Sequence, residues 1–202
     1  MKEEILDLSS YNNDISKRIF IGLDIPDDIS LFFYEMISEL SKSNHYIRPV
    51  PPRNIHLTLK FVGNTGIRSL EKIKRCLKEE LKNTYSFEYN IEDRIDAFPR
   101  LKNARIIYGI TGTGKEKIEN VQKKIIKAIS FLNIKEENKK FIPHITIARI
   151  KHSCDLTKIV SYISPKAFTG IKCDKITIYE SILSEKGADY FINEQISLKN
   201  RM

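Results

Sequence analysis

Two short strings in this chain carry side chains suited to proton transfer. They are His56-Leu57-Thr58-Leu59 and His144-Ile145-Thr146-Ile147. Each sets an imidazole two residues before a hydroxyl inside an apolar run. In an extended strand successive side chains point to opposite faces, so residues two apart share a face. From Ile55 to Phe61 the apolar residues occupy one face, and His56, Thr58 and Lys60 the other. In the second string Ile145 and Ile147 face a core, while His144 and Thr146 look outward together. An imidazole titrates near neutral pH, so it can take a proton from one oxygen and give one to another. A hydroxyl can donate to an anionic oxygen. Two such couples facing each other suit displacement at a phosphodiester. There the entering and leaving oxygens lie roughly in line and charge gathers on the nonbridging oxygens. A metal is not required, and neither HxH, HExxH nor a carboxylate cluster stands beside the strings, so no cofactor is expected.

Two cations are further candidates for phosphate contact, Lys60 and Arg149. Lys60 sits on the imidazole face by alternation. Strict alternation from His144 puts Arg149 on the apolar face, and a bulge or strand end would turn it towards the phosphate. His45 and His152 lie outside the strings and read as surface residues.

The strings belong to a longer repeat. Arg18-Ile19-Phe20-Ile21-Gly22-Leu23 matches Arg105-Ile106-Ile107-Tyr108-Gly109-Ile110 at a separation of 87, and His56 to His144 is 88. Two matches at nearly one separation indicate a duplicated strand–helix–strand unit. Such units pack as a pseudo-symmetric pair, so equivalent residues can face each other across a central cleft.

The remaining elements follow from periodicity. Strands are expected over residues 18–23, 55–62, 87–98, 104–110, 145–150, 176–183 and 190–198, the last two joined by a turn around Lys186-Gly187. Helices follow from Ile29, Phe33, Met36, Ile37 and Leu40, from Leu70, Ile73, Leu77 and Leu81, and from Ile118, Val121, Ile125, Ile129 and Leu132. The Pro-rich run Pro49-Val50-Pro51-Pro52 is expected to break regular structure. Residues 1–17 read as a polar extension, and residues 18–202 as a single bilobal domain.

The chain has 202 residues and 41% hydrophobic residues, enough for a core and against wholesale disorder. The run Leu31-Phe32-Phe33-Tyr34 stops at Glu35, far short of the roughly 20 residues of a membrane span. Glu3, Glu4, Asp7 and Asp14 stand where a secretory signal needs an apolar stretch. Cys76, Cys154 and Cys173 are odd in number and widely spaced, which fits reduced thiols in a cytoplasm. The 34 basic and 26 acidic residues leave a formal charge of +8, suited to a phosphate-bearing partner or to solubility alone.

With these residues in place, the chain resembles the two-histidine phosphoesterase superfamily, and within it the RNA 2′,3′-cyclic phosphodiesterases (LigT-like, also called 2′-5′ RNA ligases). The resemblance runs from about Arg18 to Leu198. It rests on the segments 56–63 and 143–149, on 18–26, and on Ala97-Phe98-Pro99, Tyr179-Glu180-Ser181 and Gly187-Ala188-Asp189-Tyr190. It implies an α+β fold of two pseudo-symmetric lobes, each an antiparallel sheet backed by helices, around an active-site cleft. It implies opening of RNA 2′,3′-cyclic phosphate ends to 2′-phosphates, and the reverse 2′-5′ joining. It further implies His56 as proton donor, His144 as proton acceptor, and Thr58, Thr146 and Arg149 on the phosphate, whereas the near symmetry of the strings alone allows either order. RNA ends, tRNA-like fragments among them, are the expected partner, with no membrane, and a monomer is expected. The chain departs from the family at Pro49, near where an aromatic is common, and in the extension before Arg18. Two other readings stand beside this one. One is a phosphodiesterase for small cyclic nucleotides or 2′-5′ oligonucleotides; the other is an RNA-end-binding module, against which the intact His and Thr pairs argue.

Overall fold

Alternating apolar residues build nine strands in the computed structural model, which describes residues 16–132, 140–160, 163, 165–185 and 187–200. They are β1 (Ser16–Asp24), β2 (Ile47–Pro49), β3 (His56–Gly66), β4 (Phe87–Phe98), β5 (Ala104–Thr111), β6 (His144–Cys154), β7 (Phe168–Cys173), β8 (Lys175–Ser184) and β9 (Gly187–Ser197). Helices are α1 (Asp27–Ser43), α2 (Ile67–Leu81), α3 (Lys115–Ala128) and the short α4 (Thr157–Val160).

The strands pair antiparallel in the order β7-β4-β5-β6-β3-β1-β8-β9, with β2 added on β6. The order mirrors itself about the β6–β3 seam. Each half runs outward from its His strand to its repeat partner, β5 or β1. The expected duplication and two-lobed α+β architecture are therefore present, with the lobes joined into one sheet where Leu57 pairs with Ile145. The lobe of β1 and β3 is completed by β8 and β9 from the far end of the chain.

Helices form where apolar residues recur three to four apart. Ile29, Phe33 and Ile37 of α1, Leu70, Ile73 and Leu77 of α2, and Ile118, Val121 and Ile125 of α3 are all buried. Asp27 and Asp28 start α1 where the helix dipole favours negative charge. The helix of the first repeat does not stay with its own strands: α1 packs on β2 and β6, while α2 and α3 pack on each other and on β3. Gly109 permits this crossing, because a Cβ there would lie 3.1 Å from the Phe33 ring of α1.

Several boundaries differ from the sequence reading. β1 starts at Ser16, so Ser16 and Lys17 of the expected extension are paired strand residues, opposite Gly66 and Thr65; residues 1–15 lie outside the described residues, as does Lys186 of the expected turn. β2 forms despite Pro49. Its sole described neighbour is β6, and a proline lacking an N–H donor is tolerated on such an edge. β7 was not expected, because Phe168, Ile171 and Cys173 alternate too sparsely to announce a strand.

The repeat itself is shifted by one residue. Gly22 pairs with Thr58, and Tyr108, not Gly109, pairs with Thr146. The matched glycines therefore face opposite sides of the sheet. The middles of both strands, Ile19–Leu23 and Ile106–Ile110, carry no charged residue on either face, so a one-residue slip preserves the look of the sequence and reverses every side chain.

Candidate active site

His56 and His144 each open a strand, and each ring is held the same way. His56 Nδ1 lies 2.7 Å from the Asn54 carbonyl oxygen, and His144 Nδ1 lies 2.7 Å from that of Ile142. A carbonyl only accepts, so Nδ1 carries the proton and Nε2 presents its lone pair in both rings. The Thr58 hydroxyl donates to His56 Nε2 at 2.9 Å. The supports are anchored in turn. Asn54 closes a 3-10 turn (Pro52–Asn54) and donates its side-chain amide to the Ala188 carbonyl at 2.7 Å. The buried Thr111 hydroxyl donates to the carbonyl of Pro143, next to His144, at 2.9 Å.

The Leu57–Ile145 register sets the two couples against each other. Both residues are fully buried, so the residues flanking them turn to the opposite face. His56 then lies across from Thr146, and Thr58 across from His144. Regular antiparallel neighbours place opposed Cβ atoms about 4.5–5.5 Å apart and diagonal ones about 7–8 Å. Two imidazoles and two hydroxyls thus occupy the corners of one patch.

Aromatic rings wall that patch. Phe20 lies under His56 with ring centroids 4.6 Å apart, Tyr190 meets its edge at 5.1 Å, and Tyr179 is at 5.7 Å. Across the seam Phe98 and Tyr108 meet the edge of His144 at 4.9 and 5.3 Å. Tyr179 and Phe98 hold equivalent places, since Tyr179 pairs with Phe20 on β1 and Phe98 with Ile106 on β5. Burial among these rings pushes His56 from an ordinary 6.5 down to about 4. The Asn54 carbonyl and Asp24 resist, and the positive charges of Arg149 and His144 add to the depression. His144 is also lowered, again by burial, against the pull of the Ile142 carbonyl. Burial raises the phenol of Tyr179, as does its hydrogen bond to Asp24. Tyr108 rises to about 12 through burial and Asp96, to which it donates at 3.2 Å. Gly22 lets β1 pass below His56: a Cβ there would stand 2.8 Å from the Leu57 carbonyl oxygen.

Of the expected site residues, His56, Thr58, His144 and Thr146 come together, while the two cations exchange places. β6 bulges at Ile147, where the register passes from Ala148 to Thr146 across consecutive residues of β5. Ile147 and Ala148 are both buried, and Arg149 emerges exposed on the imidazole face. The same bulge occurs at Leu59 of β3, so Lys60 is the partner of core Ile21 and shares its face. The placement of Lys60 beside His56 is therefore corrected: alternation slips by one at Leu59. Phe61 takes the place that Arg149 holds in the other half. It is 53% exposed and rests on Phe20 at 5.7 Å. Phe20, Phe61 and Tyr108 were not identified from spacing. Phe98, Tyr179 and Tyr190 fell in expected strands and in segments of the family resemblance, without a role in the site. Among the described residues no group of three or more His, Cys, Asp or Glu is arranged to hold a metal ion, and no helix is long and apolar enough to cross a membrane.

Comparison with known proteins gives consistent results. The profile of the 2′-5′ RNA ligase superfamily matches residues 25–183. The RNA 2′,3′-cyclic phosphodiesterase of Aquifex aeolicus is 30% identical over 154 residues, covering 74% of this chain and 80% of that protein. That of Archaeoglobus fulgidus is 26% identical over 176 residues, covering 86% of this chain and 96% of that protein. Among solved structures, TT0787 of Thermus thermophilus superposes with a TM-score of 0.74 at 21% identity, over 92% of this chain and all of that one. E. coli LigT complexed with 3′-AMP gives 0.71 at 19% identity, over 91% and 99%. At such identities the two structures bear on the fold alone.

Proposed function

The chain belongs to the 2′-5′ RNA ligase superfamily, and on that premise we propose that it opens RNA 2′,3′-cyclic phosphate ends to 2′-phosphomonoesters. The observation that carries this reading is the pair of Nε2 atoms on adjacent strands, each ring oriented by a carbonyl 2.7 Å from Nδ1. His144 Nε2 takes a proton from water as its oxygen attacks phosphorus. The bond from phosphorus to O3′ breaks, and His56, protonated at Nε2, gives its proton to O3′. The ester to O2′ remains.

His56 is neutral at neutral pH in the free protein, so the bound anion must draw a proton onto it. Protonation turns Nε2 from acceptor to donor and frees the Thr58 hydroxyl, which can then donate to a nonbridging oxygen. Thr146 does the same from the other strand, and Arg149 adds positive charge where negative charge builds. The base of the terminal nucleotide stacks on Phe61, whose exposed ring continues the Phe20 wall. With a ribose 5′-hydroxyl attacking in place of water and O3′ leaving as before, the same groups join RNA ends 2′-5′. The reaction uses no metal. The free thiols of Cys76, Cys154 and Cys173 support a reducing, cytoplasmic setting, and the site is complete within one chain.

The deciding experiment is product analysis on an oligoribonucleotide ending in a 2′,3′-cyclic phosphate, with EDTA in excess. A 2′-phosphate product is expected. An unopened ring, a 3′-phosphate, or loss of activity to the chelator would refute the corresponding part of the reading.

A further inference from the structure

Arg48 is the register partner of Arg149 across β2 and β6. Ile47 and Ile150, buried at 2% and 5%, fix the inward face of both strands. Arg48 of β2 and Arg149 and Lys151 of β6 therefore share the outward face, and Tyr46 stands in the turn that leads into β2. The Lys151 N–H donates to the Tyr46 carbonyl at 3.0 Å and continues the ladder. The face thus carries two arginines and then Lys151, leading away from His144 and Thr146, with Tyr46 at its margin. The Tyr46 ring, 39% exposed, has His45 at 4.3 Å and the edge-on His152 at 5.1 Å.

Two guanidinium groups placed directly opposite each other repel. Neither has an acidic partner among the described residues. An anion between them removes the repulsion, and planar guanidinium forks fit phosphate oxygens. An exposed ring beside such cations suits a nucleobase of any sequence, because every base has a stacking face. Arg149 is among the charges that depress His56, and Arg48 stands beside it on β2, one strand removed from β6.

We propose that this strip of β2 and β6 holds the RNA strand on the 5′ side of the cyclic phosphate, with Arg48 on the preceding phosphodiester, next to the Arg149 that meets the reacting phosphate, and Tyr46 under the preceding base. The proposal rests on the reaction inferred above and names its substrate class: an oligoribonucleotide end in preference to a nucleoside 2′,3′-cyclic monophosphate.

The test compares kcat/KM on a nucleoside 2′,3′-cyclic monophosphate with that on a tetraribonucleotide ending in the same group. The wild-type protein is expected to favour the tetramer. Arg48→Gln should lower the tetramer-to-monomer ratio about tenfold, as for loss of a charged hydrogen bond, and Tyr46→Ala should lower it several-fold. In parallel, anisotropy is used to follow binding of a labelled tetramer with a 2′-phosphate end. The slope of log affinity against log salt should fall by about 0.7–1 in Arg48→Gln and be kept in Arg48→Lys. An equal ratio and an equal salt slope in wild type and Arg48→Gln would overturn the proposal. If the wild type opens neither substrate the proposed reaction fails, and the binding arm still decides the strip.

Discussion

Leu57 and Ile145 are register partners at the seam between the two lobes, and their pairing sets each histidine across from the threonine of the other half. The reacting groups are thereby shared crosswise. His56 has Thr58 beside it on its own strand and Thr146 opposite, and His144 has the reverse. A phosphate seated over the seam meets an imidazole and a hydroxyl from each lobe, and relative movement of the lobes would disturb both couples together.

Removing either imidazole should stop turnover while leaving substrate in place. For His56→Ala and His144→Ala, kcat is expected to fall at least 10²–10⁴-fold, the usual contribution of a positioned acid or base. Binding of a 2′-phosphate-ended RNA should change only a few-fold. Steady-state kinetics with titration calorimetry measures both, and near-normal turnover in either variant would remove the acid–base pair.

The pH dependence follows from the depressed histidines. The productive form has one proton on the pair. With His56 near 4 and His144 below 6.5 in the free protein, that form is most populated between those values. kcat/KM should therefore be bell-shaped, with its maximum on the acid side of 6.5 and above about 4. The limbs of kcat should lie at higher pH, because the bound phosphate anion favours imidazolium. A kcat/KM maximum above pH 7 would contradict the burial of these rings.

The same burial makes the fold acid-sensitive. The folded protein holds His56 near 4 and the unfolded chain near 6.5, so the unfolded chain takes up the proton first as pH falls. Stability contributed by neutral His56 is present above 6.5 and lost between 6.5 and 4, on the order of 3 kcal/mol in all. Urea unfolding at pH 7 and pH 4.5 should show a smaller acid loss for His56→Gln than for wild type. Equal losses would show that the imidazole is solvated.

The two lobes differ where Arg149 and Phe61 occupy matching places. Arg149→Gln should lower kcat/KM by about 10–100-fold, as for loss of a charged contact to the reacting group. It should also raise the low-pH limb, since Arg149 helps to hold His56 down. Phe61→Ala should weaken binding by about 1–3 kcal/mol through lost stacking without moving either limb. Lys60→Gln, on the core side of β3, should do neither. Kinetics of the three variants across pH tests these assignments, and a Lys60→Gln effect as large as that of Arg149→Gln would reverse the placement.

The sequence by itself determined what is local. The His-x-Thr couples lie on strands because their flanks alternate apolar residues, and α1, α2 and α3 lie where apolar residues recur with helical period. The duplication predicts a pseudo-symmetric pair of lobes. What depends on a partner strand was not legible. The bulges at Leu59 and Ile147 turn Lys60 away and bring Arg149 in, and they exist because β1 and β5 pair past those residues. The equivalence of Tyr108 with Gly22 is off by one from the sequence match, since two strand centres without charged residues read alike in either register. Arg48 meets Arg149 only because the edge strand β2 joins β6 from 101 positions away in the chain. Side-chain period is written into each segment, but register is settled between segments, by which backbone hydrogen bonds and which buried side chains can be satisfied at once.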